Sequence, residues 1–167
     1  MLLVIDIGNT NIVFGISNHE EWIAHWRIQT DPLKTADEYE VIFRSLINNG
    51  LTGDSQIEAI VLSSVVPTLV QPFIEMLEDF LKLTPVILGP ENYGRLPIKT
   101  LNPYQIGTDL MANSLAAYEK YGEFTTVVDF GTALTFTTVG AGGLILGVAI
   151  APGSLFSLDD RFRPVET

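Results

Sequence analysis

The sequence predicts an α/β fold in which mixed β-sheets are covered by helices. The first observation is the order of its apolar patterns, which indicates β-β-β-α-β-α-β over residues 2–88. The second is a repeat: one predicted strand runs into DIGNT at residues 6–10, and another runs into DFGTA at residues 129–133. Each phrase lies between two predicted strands. We therefore expect one intact unit followed by the opening of its copy.

The first unit carries the clearest local signals. Thr35 followed by Glu38 is a capping-box signature, and apolar residues then recur at helical spacing until Asn49-Gly50. A second helix is predicted at residues 68–81, with Pro72 close to its first turn, where proline is better tolerated. Apolar runs between turn-rich segments predict strands at residues 2–5, 12–16, 21–28, 59–63 and 85–88.

A polar, proline-containing stretch at residues 89–105 interrupts this pattern and is the predicted domain boundary. We expect an N-terminal domain over residues 1–105 and the start of a second domain over residues 106–167. The second part is predicted to contain a helix at 107–121 and strands at 125–128, 134–139 and 144–150. The remaining residues are too few to supply the helices that complete the first unit.

Charge and composition limit the classes of ligand. The formal net charge is −11 and the nine lysines and arginines are scattered singly, which argues against nucleic-acid binding. Backbone N–H groups, helix N-termini or a divalent cation would hold an anionic ligand. The sequence has no cysteine, no basic leader and no apolar run of the roughly 20 residues that a membrane span needs. We expect a cytoplasmic protein with neither nucleic-acid nor membrane partners.

The repeated Asp-x-Gly phrase has a chemical interpretation. A strand that enters a glycine-containing turn and returns presents backbone N–H groups that can hold a phosphate. Gly8 and Gly131 would permit close approach or a positive φ. Further donors follow at Asn9, Thr10 and Thr132. Two such hairpins would clamp the phosphates of a nucleotide, with a cation such as Mg²⁺ between aspartate and phosphate. The alternative is that each aspartate ends a strand and binds its own turn.

Asp109 is the candidate general base. It stands at the start of the predicted helix, and a carboxylate held over a cleft can accept the proton of a hydroxyl that attacks a phosphoryl group. The alternative is that Asp109 serves only the helix N-terminus. Ser63 and Ser64 have no GxSxG context, so a hydrolase triad is not expected.

Four motifs in order carry a family resemblance. DIGNTNIVFGI at the N-terminus is followed by NPxxxGxD at residues 102–109, then by VVDFGTALTF at residues 127–136 and AIAPG at residues 149–153. These motifs resemble type III pantothenate kinase, also labelled the Bvg accessory factor family. The resemblance covers residues 1 to about 153. It implies an actin-like ATPase fold of two duplicated ribonuclease-H-like domains, of which the second would be incomplete.

The resemblance also implies residue roles. Thr132 would contact ATP, and Asp129 would coordinate a monovalent cation, K⁺ or NH₄⁺. Asp109 would be the base that acts on the primary hydroxyl of pantothenate, within a substrate motif of Gly107, Thr108, Asp109 and Leu110. The first hairpin would hold the ATP phosphates, with Mg²⁺ at Asp6, through Asp6, Ile7, Gly8, Asn9, Thr10, Asn11, Ile12 and Val13.

Two positions of the substrate motif depart from the family pattern. Leu110 stands where an arginine is usual, and Thr100 stands where a tyrosine is common. Thr100 is nevertheless a candidate substrate-binding residue. The resemblance predicts a homodimeric kinase that transfers the γ-phosphoryl group of ATP to pantothenate, the first step of coenzyme A synthesis. One alternative is a non-catalytic accessory protein or transcriptional regulator of the same family. The other is a phosphotransferase of the same fold with another substrate.

Overall fold

The structure is a computed structural model that describes residues 1–18, 20–50 and 56–153, with the backbone alone at residues 49 and 50. The chain divides into two compact units, Met1–Gly89 and Pro90–Thr167. The domain division predicted after residue 105 stays a prediction.

The first unit is a five-stranded mixed sheet covered by two helices. Its elements are β1 (Leu2–Ile7), β2 (Asn11–Ser17), β3 (Trp22–Gln29), α1 (Ala36–Gly50), β4 (Ala59–Ser64), α2 (Pro67–Leu81) and β5 (Val86–Ile87). The strand order is β3-β2-β1-β4-β5. Strands β1, β2 and β3 form an antiparallel meander, whereas β4 pairs in parallel with both β1 and β5. The predicted order β-β-β-α-β-α-β is confirmed.

The core of this unit lies between one face of the sheet and the two helices. Alternate residues of β1 and β2 are buried, as expected for a strand that faces a core on one side. The ring of Phe14 on β2 lies 5.2 Å from that of Phe43 on α1 and 6.2 Å from that of Phe73 on α2. Both helices therefore pack on the face of the sheet that carries Phe14.

The bounds of strands β1 and β5 differ from the predicted ones. Strand β1 extends two residues beyond the predicted Ile5, because Asp6 and Ile7 pair with Val13 and Ile12 in the ladder. Asp6 is thus a strand residue rather than a turn residue. Strand β5 is shorter than predicted, since only Val86 and Ile87 pair with β4.

The second unit contains α3 (Pro90–Tyr93), α4 (Thr108–Tyr121), β6 (Thr125–Phe130), β7 (Ala133–Val139) and β8 (Ile145–Pro152). The three strands form an antiparallel sheet in the order β6-β7-β8. The predicted helix and strand meander are confirmed. Helix α3 was not predicted, because four residues carry no periodicity. Within the described ranges, no helix has both the length and the apolarity to cross a membrane.

The two sheets repeat one strand pairing in different surroundings. Ile5 directly precedes Asp6 and pairs with Phe14 across β1 and β2. In the same way, Val128 directly precedes Asp129 and pairs with Phe136 across β6 and β7. Ile5 and Phe14 are buried, whereas Val128 and Phe136 are 44% and 37% exposed. The repeat therefore extends to the strand register but not to the burial of that face.

Candidate active site

The first hairpin joins β1 to β2 through residues 8–11. The Gly8 N–H donates to the Asn11 carbonyl at 3.0 Å, so this amide closes the turn. Gly8 does not adopt a positive φ. A Cβ at this position would lie 3.1 Å from the Asn11 carbonyl oxygen, so glycine is needed for close approach instead. Asn9 and Asn11 are both exposed, so their side chains are accessible polar groups of the turn.

The hydrophobic members of this hairpin lie in the core. Ile7 and Ile12 are fully buried, so only their backbone atoms could meet a nucleotide. Val13 pairs with Asp6 in the ladder and is half-buried. Phosphate contacts from the hairpin are therefore limited to its polar residues and its backbone.

Thr30 holds the turn of the first hairpin from the end of β3. Its hydroxyl donates to the Gly8 carbonyl at 2.6 Å, and its N–H donates to the Thr10 carbonyl at 2.9 Å. Only 9% of Thr30 is exposed. Because one residue binds two points of the turn, it restricts the shape of the hairpin. Sequence reasoning missed Thr30. The predicted strand meander could have indicated it, because the meander places the end of β3 beside the start of β2.

Asp6 has a second residue beside it that sequence reasoning missed. The Ser63 hydroxyl donates to Asp6 Oδ1 at 3.0 Å. The two are direct partners in the parallel ladder between β1 and β4, so their side chains share a face of the sheet. Ser63 is 7% exposed. A hydroxyl donor in this place stabilises the ionised carboxylate and restricts its rotamer. Only the pairing of β4 with β1 reveals this role.

The second hairpin repeats the closure of the first with a shorter turn. The Gly131 N–H donates to the Ala133 carbonyl at 3.1 Å, and residues 131–133 connect Phe130 to its ladder partner Leu134. Gly131, like Gly8, has no positive φ. Thr132 is exposed. The hairpins therefore share their Asp-x-Gly entry and their closing bond.

Asp129, which enters this hairpin on β6, is bound by α4. The Asn113 side-chain amide donates to Asp129 Oδ2 at 3.1 Å. This places the carboxylate on the face of the sheet that α4 covers. Asn113 is a further residue that sequence reasoning missed, because a helix-to-strand contact between positions 113 and 129 leaves no periodic signal.

Asp109 lies in the first turn of α4, after the N-cap residue Gly107. Its Oδ1 accepts a hydrogen bond from the Leu110 N–H at 2.8 Å, so the carboxylate satisfies one of the free N–H groups of the helix end. The side chain is half-buried. Asp109 and Asn113 are four residues apart and therefore share one face of α4. That face carries both the candidate base and the group that binds Asp129.

The predicted site residues and the partners that the structure adds to them fall into two groups. The first unit brings together Asp6, the turn of residues 8–11, Thr30 and Ser63. The second unit brings together Asp109, Asn113 and Asp129. Each unit supplies one hairpin that can meet an anion, and the second also supplies a carboxylate that can accept a proton.

A family model described as type III pantothenate kinase matches residues 2–162. The chain belongs to this family. It is 46% identical over 162 residues to the type III pantothenate kinase of Moorella thermoacetica and 44% identical over 163 residues to that of Pelobacter propionicus. The matches cover 97% and 98% of this chain but 64% of each relative, so the chain spans just under two thirds of their length.

The fold comparison agrees with the family. The chain is similar to the type II variant of the Ppx/GppA phosphatase of Aquifex aeolicus, with a TM-score of 0.56 and 14% identity, over 98% of this chain and 56% of that one. At this identity the likeness concerns the fold alone. The predicted actin-like ATPase fold class is confirmed.

Thr100 and Leu110, the two expected departures from the family pattern, lie in the second unit. Leu110 is only 9% exposed, so its side chain contributes to packing. The Thr100 hydroxyl accepts a hydrogen bond from the Asn102 N–H at 3.3 Å. Thr100 also lines a cavity of about 310 Å³ together with Tyr93 and Lys99. A small polar molecule has room beside this segment.

Tyr93 lies close to the candidate base. Its hydroxyl is buried and has no hydrogen-bond partner among the described residues. Burial raises the pKa of the phenol, and the negative charges of Asp109 and Glu91 raise it further. The phenol is therefore neutral at physiological pH.

The donor set fits the divalent cation that a kinase family implies. In phosphoryl-transfer sites Mg²⁺ usually takes one or two carboxylates and completes its shell with phosphate oxygens and water. Asp6 and Asp129 each offer one carboxylate beside a hairpin. Among the described residues, no three His, Asp or Glu side chains lie together as a metal-binding group. This arrangement fits a cation shared with phosphate rather than one enclosed by protein.

Proposed function

We propose that this chain carries phosphoryl-transfer machinery that moves the γ-phosphoryl group of ATP to the primary hydroxyl of pantothenate. The observation that carries the proposal is the position of Asp109 in the first turn of α4, one turn before the asparagine that binds Asp129. Membership of the type III pantothenate kinase family supports the choice of both substrates. The chain spans 64% of its curated relatives, so the activity of the whole enzyme is part of the proposal.

In the proposed reaction, Asp109 accepts the proton of the pantothenate hydroxyl as its oxygen attacks the γ-phosphorus of ATP. The bond between that phosphorus and the β–γ bridging oxygen breaks, and ADP leaves with the electron pair. Each hairpin would hold phosphate oxygens in position, and positioning is most of what catalysis of phosphoryl transfer requires. Mg²⁺ at Asp6 and K⁺ or NH₄⁺ at Asp129 would supply positive charge to the phosphates.

The finer assignments belong to the same proposal. Thr132 and the residues of the first hairpin would contact ATP, and Thr100, Gly107, Thr108 and Leu110 would lie along pantothenate. A buried Leu110 supplies no cation for the carboxylate of pantothenate, so that charge would be met by another group. A cytoplasmic homodimer is the expected form.

A coupled ADP-release assay with and without pantothenate tests the proposal. Pantothenate-dependent release is the expected result. Asp109→Asn should lower the rate by at least about 10²-fold, because proton transfer to a positioned base contributes that much. Asp37→Asn is the matched control, since Asp37 is also an acid in the first turn of a helix but is exposed on α1. Unchanged turnover in Asp109→Asn would overturn the assignment of the base.

The same assay separates the two alternatives. ADP release that does not depend on pantothenate would indicate a phosphotransferase or phosphatase with another substrate. No release at all, with ATP still bound, would favour an accessory or regulatory member of the family.

A further inference from the structure

Gly153 lies directly after β8 and packs against the turn of the second hairpin. The residue is buried. A Cβ built on it would lie 2.7 Å from the Gly131 carbonyl oxygen and closer still to the carbonyl oxygen of Thr132. Side-chain carbons do not approach backbone oxygens this closely in packed interiors. Any residue other than glycine would therefore force this turn to move.

The ladder explains why these residues meet. Strand β8 runs antiparallel to β7, and Pro152 is the register partner of Ala133. Gly153 follows Pro152, and Thr132 precedes Ala133. Because the strands are antiparallel, Gly153 must therefore lie beside Thr132. The contact is thus fixed by strand pairing, with backbone on both sides and little room to relax.

The contact also sets the direction of the peptide groups in the turn. The carbonyl oxygens of Gly131 and Thr132 face the side of Gly153 on which a Cβ would stand. In a trans peptide the carbonyl and the following N–H point to opposite sides, and the described residues contain no cis peptide bond. The N–H groups of Thr132 and Ala133 are therefore directed away from Gly153. Successive N–H groups that share one direction form the concave sites that bind anions.

We propose that Gly153 is a positioning residue for the second phosphate-binding hairpin. Because it has no side chain, the end of β8 can lie on the carbonyls of Gly131 and Thr132 and hold the turn with its N–H groups directed to the opposite side. This inference rests on the proposed function in one respect, namely that the hairpin binds nucleotide phosphates. It adds a residue that touches neither nucleotide nor acceptor but fixes the group that does.

Strand β8, which leads to Gly153, contains a matched control. Gly147 is the ladder partner of Thr138 on β8, and a Cβ there would meet no heavy atom within 4 Å. Gly153→Ala and Gly147→Ala make the same chemical change, one against the hairpin and one in open space. A loss specific to Gly153→Ala cannot be assigned to the general effect of a glycine substitution.

Two measurements on the chain test whether Gly153 positions the second hairpin. Backbone amide chemical shifts of residues 131–133 report the geometry of the turn, with the Gly8 amide of the first hairpin as an internal control for correct folding. Titration with ATP reports affinity. We expect Gly153→Ala to move the amide signals of residues 131–133 and to weaken ATP binding on the order of tenfold or more, as misplaced binding groups do. Gly147→Ala should change neither.

Two results would overturn the inference, and a third would refute the proposed nucleotide site instead. Gly153→Ala with unshifted amides and unchanged ATP affinity would overturn it. Equal losses of ATP affinity in both variants would also overturn it, because the effect would then not depend on the hairpin contact. Failure of the unsubstituted chain to bind ATP would refute the proposed nucleotide site, whereas the amide shifts would still decide whether Gly153 fixes the turn.

Discussion

Asn113 and Asp129 are joined by a hydrogen bond of 3.1 Å from the side-chain amide to Oδ2, and Asn113 lies one helical turn after Asp109. One helix face thus carries the proposed base and the partner of the proposed cation ligand. Because α4 is a rigid element, the positions of the two carboxylates depend on each other through this bond.

Asn113→Ala should lower pantothenate-dependent ADP release by about 10- to 100-fold, the usual cost of removing a partner that orients a metal-binding carboxylate. The loss should be largest at low K⁺ concentration, because the substitution acts through Asp129. Steady-state rates over a K⁺ titration provide the measurement. Glu119→Ala, an exposed change on the same helix, is the control. Equal losses at every K⁺ concentration would show that Asn113 does not act through a cation site.

Ser63→Ala should weaken ATP binding and lower stability by about 1.5–3 kcal/mol, the range for a hydrogen bond to a charged group. The substitution removes the Ser63 hydroxyl that donates to Asp6 Oδ1 at 3.0 Å. Urea unfolding and ATP titration measure the two effects. Ser45→Ala on the exposed side of α1 should leave both unchanged. If Ser63→Ala binds ATP as the unsubstituted chain does, Ser63 has no role at the nucleotide.

Thr30→Val should destabilise the chain by about 1–3 kcal/mol, because the partly buried Gly8 carbonyl loses its hydroxyl donor while the volume of the side chain is kept. ATP affinity should fall as well, since the turn of residues 8–11 is less restricted. Thr30→Ser keeps the hydroxyl and should retain most of both properties. Equivalent behaviour of the valine and serine variants in urea unfolding would contradict the role of the hydroxyl.

The environment of the Tyr39 phenol predicts that the free energy of unfolding changes at alkaline pH. Its hydroxyl is buried, donates to the Asp31 carbonyl at 2.8 Å and accepts from the Asp31 N–H at 3.1 Å. Burial raises the pKa of this phenol above its ordinary value of 10.0, so the folded state favours the neutral form. The associated stability is complete below the unfolded pKa and is lost as pH rises through the folded one.

The free energy of unfolding should therefore fall as pH rises above about 10, and Tyr39→Phe should make the fall shallower. Urea unfolding at pH 8 and at pH 10.5 to 11 measures the difference. Tyr104→Phe is the control, since Tyr104 is 79% exposed. An identical pH dependence in Tyr39→Phe and the unsubstituted chain would contradict this account.

Local sequence signals were sufficient for the longer helices and strands and for both hairpins. The capping box at Thr35 forms as predicted, with the Glu38 carboxylate accepting from the Thr35 N–H at 2.8 Å. Both Asp-x-Gly phrases enter closed hairpins. The predicted reason for the glycines was half right: Gly8 serves close approach, and neither it nor Gly131 has a positive φ.

By itself, the sequence determined the order of strands and helices, the repeated hairpin and the kinase family, because these depend on short-range patterns and motif order. Only the tertiary structure decided which residues support the aspartates, namely Ser63 from a parallel strand and Asn113 from a helix. The same holds for Thr30 and Gly153, which contact the hairpin turns from strand ends. The physical reason is that hydrogen bonds and close packing act over a few ångströms in space. The partners that they join here lie 16 to 57 positions apart in the chain and leave no periodic trace.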